Sequence, residues 1–304
     1  MQSAKGSEQQ PSMGLLVQSG DRLKPGLRTA IALLMYLCVL AALPAAQKKA
    51  LPEVKEVGRI AHPDIVESSG LVASRQFAGT FWTHNDGARP VLYAIKQDGS
   101  SVGQVRIEGA DFEDFEDIAF GSGNELFLGD IGNNKRKRHA VAVYSLAEPN
   151  PTNTANAVTV SRRWVLRYLG EPFDSEGLFV WHDAGYLVSK VTDDQKAEIF
   201  RFSLAETMKP QTLQLVGRVD VESPVAGADI SEDGRFLAMI AKSGAFVFQI
   251  DGDVSKAVSV KPARAKFRNP SMEGCCFVPG GLLTCAESRE VFFFSENLFG
   301  MRFK

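Results

Sequence analysis

From about residue 54 onward the chain is a succession of short apolar runs. Each is broken within a few residues by Gly, Asp, Asn, Ser or Pro. Among them are TFWTHND, VLYAIKQDG, LFLGDIG, VAVYSL, YLVSKV, IFRFSL, FLAMIA, AFVFQI and VFFFS. They are rich in aromatic and β-branched residues, which suit a pleated, half-buried surface. The 3.6-residue spacing of an amphipathic helix is nearly absent. The pattern predicts an all-β chain.

A weak repeat lies over this pattern. Ser69-Gly70-Leu71-Val72, Glu116-Asp117-Ile118-Ala119, Glu176-Gly177-Leu178-Phe179, Ala228-Asp229-Ile230-Ser231 and Glu273-Gly274-Cys275-Cys276 each place a small or acidic pair before an apolar run. The steps between them are 47, 60, 52 and 45 residues. After each comes a turn and a second strand, then usually a third. Repeats of this length with about four strands are what propeller blades require. The last unit runs out of chain after its third strand, whereas Val54–Ile60 precedes the first unit and has no blade of its own. That segment is expected to supply the missing strand and close the ring, which removes open sheet edges. The count is five blades, with six open if the 60-residue step is split; a β-sandwich, the rival fold, would not need the repeat.

Residues 1–46 read differently. Arg22, Lys24 and Arg28 precede an uncharged run, Thr29 to Gln47, that contains IALLMYLCVLAAL and ends near Ala45-Ala46. A basic flank, an apolar stretch and small residues are the parts of a secretory signal. Leu43 or Pro44 stands where a small residue is usual, and about 18 apolar residues just span a bilayer. A cleaved signal and a retained anchor are therefore both open. The expected domains are 1–46, signal peptide or membrane anchor, and 47–304, propeller. The expected location is secreted or periplasmic, with membrane contact only through residues 29–46.

The net charge of −2 gives no reason to expect a nucleic-acid partner, and a monomer is expected. The basic run Lys135-Arg136-Lys137-Arg138-His139 reads as a solvated loop rather than a contact for phosphate or a membrane surface. Cys275, Cys276 and Cys285 remain in the exported part, so one disulfide with one free thiol, or three thiols, are both consistent with the sequence.

In a propeller the innermost strand of every blade lines the axis, so the repeat carries Ser69, Glu116, Glu176, Asp229 and Glu273 to one mouth of a central channel. Glu67, two residues before Ser69, faces the same side. The ends of the second strands add His84, Asp86, Asp130, Lys190, Lys242 and Glu287. Carboxylates crowded together repel and do not all stay ionised. A hard cation with oxygen ligands offsets that, and calcium is the expected cofactor. Asp86 in the turn HNDG, Asp130 and Asn133 in the turn GDIGNN, and Asp117 of the repeat are its candidate ligands. Glu67, Glu116, Glu176, Asp229, Lys190, Lys242, Glu273, Glu287 and His84 are the candidate ligand-binding residues. No nucleophile elbow, zinc-protease helix or phosphate-binding glycine loop is present.

The segments ESSGLVAS, WTHND, EDFEDIAFG, LFLGDIGNN, DSEGLFV, GADISEDGRFLA and SMEGCCF resemble an exported bacterial β-propeller family over roughly residues 60–295. It is similar to the looser group of esterase-like phytases and SdiA-regulated proteins. The resemblance implies a secreted or periplasmic propeller, often with calcium and sometimes with phosphoester or ester hydrolysis. The dense aspartate and lysine phosphate cluster of propeller phytases has no counterpart here. The expected function is therefore binding of a small ligand or partner at the channel mouth, with calcium. Two alternatives stand beside it: a calcium-dependent hydrolase of a phosphoester, ester or sugar, and a scaffold for another envelope protein.

Overall fold

The computed structural model describes residues 54–152, 157–190, 195–205 and 207–303. The signal or anchor expected in residues 1–46 lies outside them. No helix among the described residues is long and apolar enough to cross a membrane.

The chain opens with strand β1 (Val54–Arg59) and then lays down five antiparallel sheets in order. Blade one is β2 (Ser68–Ala73), β3 (Phe81–Asn85), β4 (Val91–Ile95) and β5 (Ser101–Glu108). Blade two has β6 (Phe115–Phe120), β7 (Glu125–Asp130) and β8 (Ala140–Ala147), then, after the short β9 (Val158–Thr159), β10 (Arg162–Arg167). Blade three is β11 (Ser175–Trp181), β12 (Ala184–Ser189) and β13 (Glu198–Ser203), then, after the short β14 (Gln211–Thr212), β15 (Gln214–Arg218). Blade four is β16 (Val225–Ile230), β17 (Phe236–Ala241), β18 (Gly244–Gln249) and β19 (Ala263–Lys266). Blade five is β20 (Met272–Val278), β21 (Gly281–Ala286) and β22 (Glu290–Ser295).

β1 pairs with β22, Val54 against Phe294 through Arg59 against Glu290, and supplies the fourth strand of blade five. The ring is thus sewn shut by its first strand, as the sequence predicts. Gly58 sits at the bulge in β1. A Cβ there would overlap the Asp98 backbone, so the closing strand passes the turn of blade one only as glycine.

The 60-residue step has a plain cause. β9, in the connection between β8 and β10, pairs in parallel with β5 on the outer edge of blade one. β14 likewise adds to β10 on blade two. The extra length is edge cover for a neighbouring sheet, and the blade count is five.

Five blades leave five interfaces, and each is filled by its own apolar cluster. Trp82, Ile118 and Leu128 pack between blades one and two. Phe127, Trp164 and Phe202 lie between two and three, and Phe179, Leu237 and Met239 between three and four. Phe236, Met272 and Phe294 join four to five, and Leu71, Tyr93 and Leu283 join five back to one. Inner strands meet neighbours on both faces and are buried almost without a break, whereas the outer β5 and β10 alternate buried with exposed positions. Cys275, Cys276 and Cys285 are buried free thiols, so the unpaired alternative holds among the described residues.

Candidate functional site

The innermost strands share one register, which sets the site. Each pairs with its second strand through a bulge near its start. Counting from these bulges aligns Ser69, Glu116, Glu176, Ala226 and Glu273, and one residue on, Gly70, Asp117, Gly177, Gly227 and Gly274. The second row is four glycines and one aspartate. Glycine lets the inner strands approach closely: a Cβ on Gly274 would overlap the Gly70 backbone, and one on Gly227 would come within 2.9 Å of the Glu273 carbonyl. The one side chain in that row, Asp117, is fully buried. Its Oδ1 accepts the Ile118 N–H at 2.9 Å. Its Oδ2 accepts the Leu178 N–H at 2.8 Å and the Ala228 N–H at 3.2 Å. Asp117 therefore ties blades two, three and four together at the axis. It is engaged by backbone, apart from the metal-ligand group in which the sequence reading placed it.

Asp229 also departs from the expected place. The repeat matched Ala228-Asp229 to the Glu-Gly pairs, but Ala226-Gly227 holds that register. Asp229 lies three residues deeper, accepts the Phe277 N–H at 2.8 Å, and borders a cavity with Arg75 and Glu232 at the other end of the inner strands. Burial pushes its carboxyl up to about 7 against the pull of those backbone donors.

The remaining acids do converge. Asp86, Asp114 and Glu116 each offer an oxygen within 4.8 Å of the others. Glu116 is 3% exposed, and its Oε1 has no hydrogen-bond partner. Gly132 lies against the pair: a Cβ there would overlap both Glu116 Oε1 and Asp114 Oδ2. Asp130 and Asn133 stand behind this group as its supports. Asp130 Oδ1 accepts the Glu113 and Asp114 N–H groups at 2.9 and 2.8 Å, and its Oδ2 receives Arg138 Nη2 at 2.5 Å. Asn133 Nδ2 donates to Tyr168 Oη at 2.9 Å and its Oδ1 accepts the Arg138 N–H. Arg138, in the run read as a solvated loop, is thus half-buried and paired.

Next around the mouth, Lys190 bonds Glu176 Oε1 and lies 3.8 Å from Asp174 Oδ2. Glu176 Oε2 and Ser175 Oγ are buried without partners. Lys242 bonds Glu273 and donates to the Met272 carbonyl at 2.9 Å. Glu287 hydrogen-bonds Glu273, and both Glu287 and Glu67 act on Asp86 through space. His84 sits behind the mouth, flat on Phe115 with ring centroids 3.5 Å apart. Complete burial lowers it to about 3, so its ring is neutral.

The carboxyls respond as crowding demands. Burial, and then Asp86 and Asp174, push Asp114 up to about 6. Burial and the adjacent Glu176 hold Glu116 far above the carboxylate range. Burial raises Glu176 and Glu273, the latter to about 9, although a lysine pulls each down.

Asp114 and Asp174 were missed by the sequence reading. Each stands two residues before Glu116 or Glu176, the offset that selected Glu67, and the same alternation would have found both.

No family model matches this chain, and no curated protein matches it. Among solved structures it is similar to a luciferin-regenerating enzyme, at 10% identity over 80% of this chain and 94% of that one, with a TM-score of 0.46. It is also similar to a virginiamycin B lyase from Staphylococcus aureus, at 11% identity over 80% of this chain and 99% of that one, with a TM-score of 0.42. Both are β-propeller proteins. These likenesses carry nothing about chemistry, which rests on the mouth itself.

Proposed function

We propose that this is an exported β-propeller that binds a calcium ion, and with it a small ligand, at the acidic mouth of its axis. Asp86, Asp114 and Glu116 would hold the ion. The observation that carries the reading is Glu116 Oε1, a buried carboxylate oxygen without a protein partner, facing two further carboxylates. A buried polar oxygen is normally hydrogen-bonded or bound to metal. The donor set is all oxygen, which suits a hard cation, and the missing Cβ of Gly132 keeps the space beside it clear. The ion would supply positive charge and open positions for oxygen atoms of a ligand.

A second reading, a calcium-dependent hydrolase, is favoured by Lys190 and Lys242, which pair with Glu176 and Glu273 of the same ring. In that reading the lysines and the ion hold an anionic or carbonyl oxygen while Glu176 or Glu116 moves a proton.

Calcium titration with thermal melting of the purified domain tests the shared premise. Stabilisation of about 2.7 kcal/mol is expected at a hundredfold excess over Kd, and none in Glu116→Gln/Asp114→Asn. A wild type whose melting ignores calcium would sink the reading. A panel of phosphoester, ester and glycoside substrates then separates enzyme from binder.

A further inference from the structure

Beside the acidic mouth, on its blade-four side, lies a groove of about 510 Å³. Lys242 stands on its wall, and Arg264, Arg268 and Phe246 line it further out. Lys242 is already committed to Glu273. Neither of the two arginines forms an ion pair with an acid among the described residues. Arg264 lies over the Phe246 ring, 4.9 Å from its centroid, and its Nη2 donates to Ser243 Oγ at 3.2 Å. Neither Arg264 nor Arg268 has a carboxylate partner within ion-pair distance among the described residues, and both are exposed. The acids that border the groove, Asp220 and Glu222, face Lys196 instead, at 2.6 and 3.9 Å.

Two guanidinium groups thus line one cavity without an ion-pair partner, and Asp220 acts on Arg264 only through space. A guanidinium presents a planar fork of N–H donors that matches two oxygens of a carboxylate or phosphate. Stacking on Phe246 fixes the plane of the Arg264 fork, so less freedom is lost when an anion binds.

We propose that this groove is an anion subsite that takes the oxyanion group, phosphate or carboxylate, of a small ligand. Because the groove opens beside Lys242, the subsite gives the ligand of the acidic mouth an anionic end; only that link rests on the proposed function. The subsite itself needs no metal ion.

The test uses the mature domain stripped with EDTA at low ionic strength, titrated calorimetrically with inorganic phosphate and, separately, with succinate. Saturable binding of one or both probes is expected. Binding of phosphate alone marks a phosphoryl group, and of succinate alone a carboxylate. Arg268→Gln and Arg264→Gln should each weaken binding about tenfold, and the double variant should abolish it. Arg268 makes no side-chain contact the fold depends on, so its variant stays folded. Arg106→Gln, whose partner is Glu108 on the outer strand of blade one, should bind like wild type. The proposal is overturned if the wild type binds neither probe, or if the double variant binds as tightly as wild type. Since the anion arm uses protein freed of metal ions and of EDTA, failure of the calcium reading in its own titration leaves this result untouched.

Discussion

Glu116 and Asp117 are neighbours on β6, both acidic and both buried, yet their surroundings are opposite. At the axis, both Asp117 oxygens are taken up by backbone N–H groups of three blades. At the mouth, Glu116 meets Asp86 and Asp114, and one of its oxygens meets no donor. Burial raises both carboxyls. What separates them is that the protein answers one and leaves the other unanswered. A buried acid whose partners are all internal is part of the framework, and one whose partners are other acids is a candidate for a functional site.

The sharpest way to break this contrast is Asp117→Ala. It would orphan buried N–H groups of three blades and leave a void at the axis, so stability should fall by about 4 kcal/mol in chemical denaturation. A loss under about 1 kcal/mol would mean the axis does not depend on Asp117. At the mouth the sign should reverse. In calcium-free buffer Glu116→Gln removes a repelled carboxyl and should stabilise the domain by about 1 kcal/mol. Destabilisation there would put Glu116 with the framework.

A third effect is in pH. The folded pKa of Glu273 is raised to about 9 from an ordinary 4.5, so between these values the folded state holds a proton that the unfolded chain has released. Its contribution is complete below the unfolded value and is lost as pH rises through about 9. His84, lowered to about 3, loses stability only as pH falls below about 6.5, outside this range. Calcium-free protein should therefore melt at progressively lower temperature from pH 7 to pH 9, and Glu273→Gln should flatten the slope. A rising melting temperature over that interval would contradict the crowding at the mouth.

Much of this was legible in the chain. Short apolar runs rich in aromatic and β-branched residues announce strands, because such residues suit a pleated surface and the run must end where Gly, Asn or Asp can turn it. The 45- to 60-residue repeat announces blades, and the unpaired Val54–Ile60 announces the closing strand. Glu116, Glu176 and Glu273, with Lys190 and Lys242, were visible as a ring because equal offsets within equivalent strands land at equivalent places.

Register and partnership were decided only by the tertiary structure. Ala228-Asp229 resembles the Glu-Gly pairs in sequence, yet the bulge in β16 gives their place to Ala226-Gly227, and this two-residue slip leaves Asp229 near the opposite end of the strand. Asp117 reads as a ligand until the backbones of blades three and four close on it. Arg138 reads as solvated until Asp130 is found beneath it. A sequence determines which groups a chain carries and how often they recur. Whether a buried group is paired within the protein or left open to a ligand depends on distances between segments from different blades, and only the closed ring sets those.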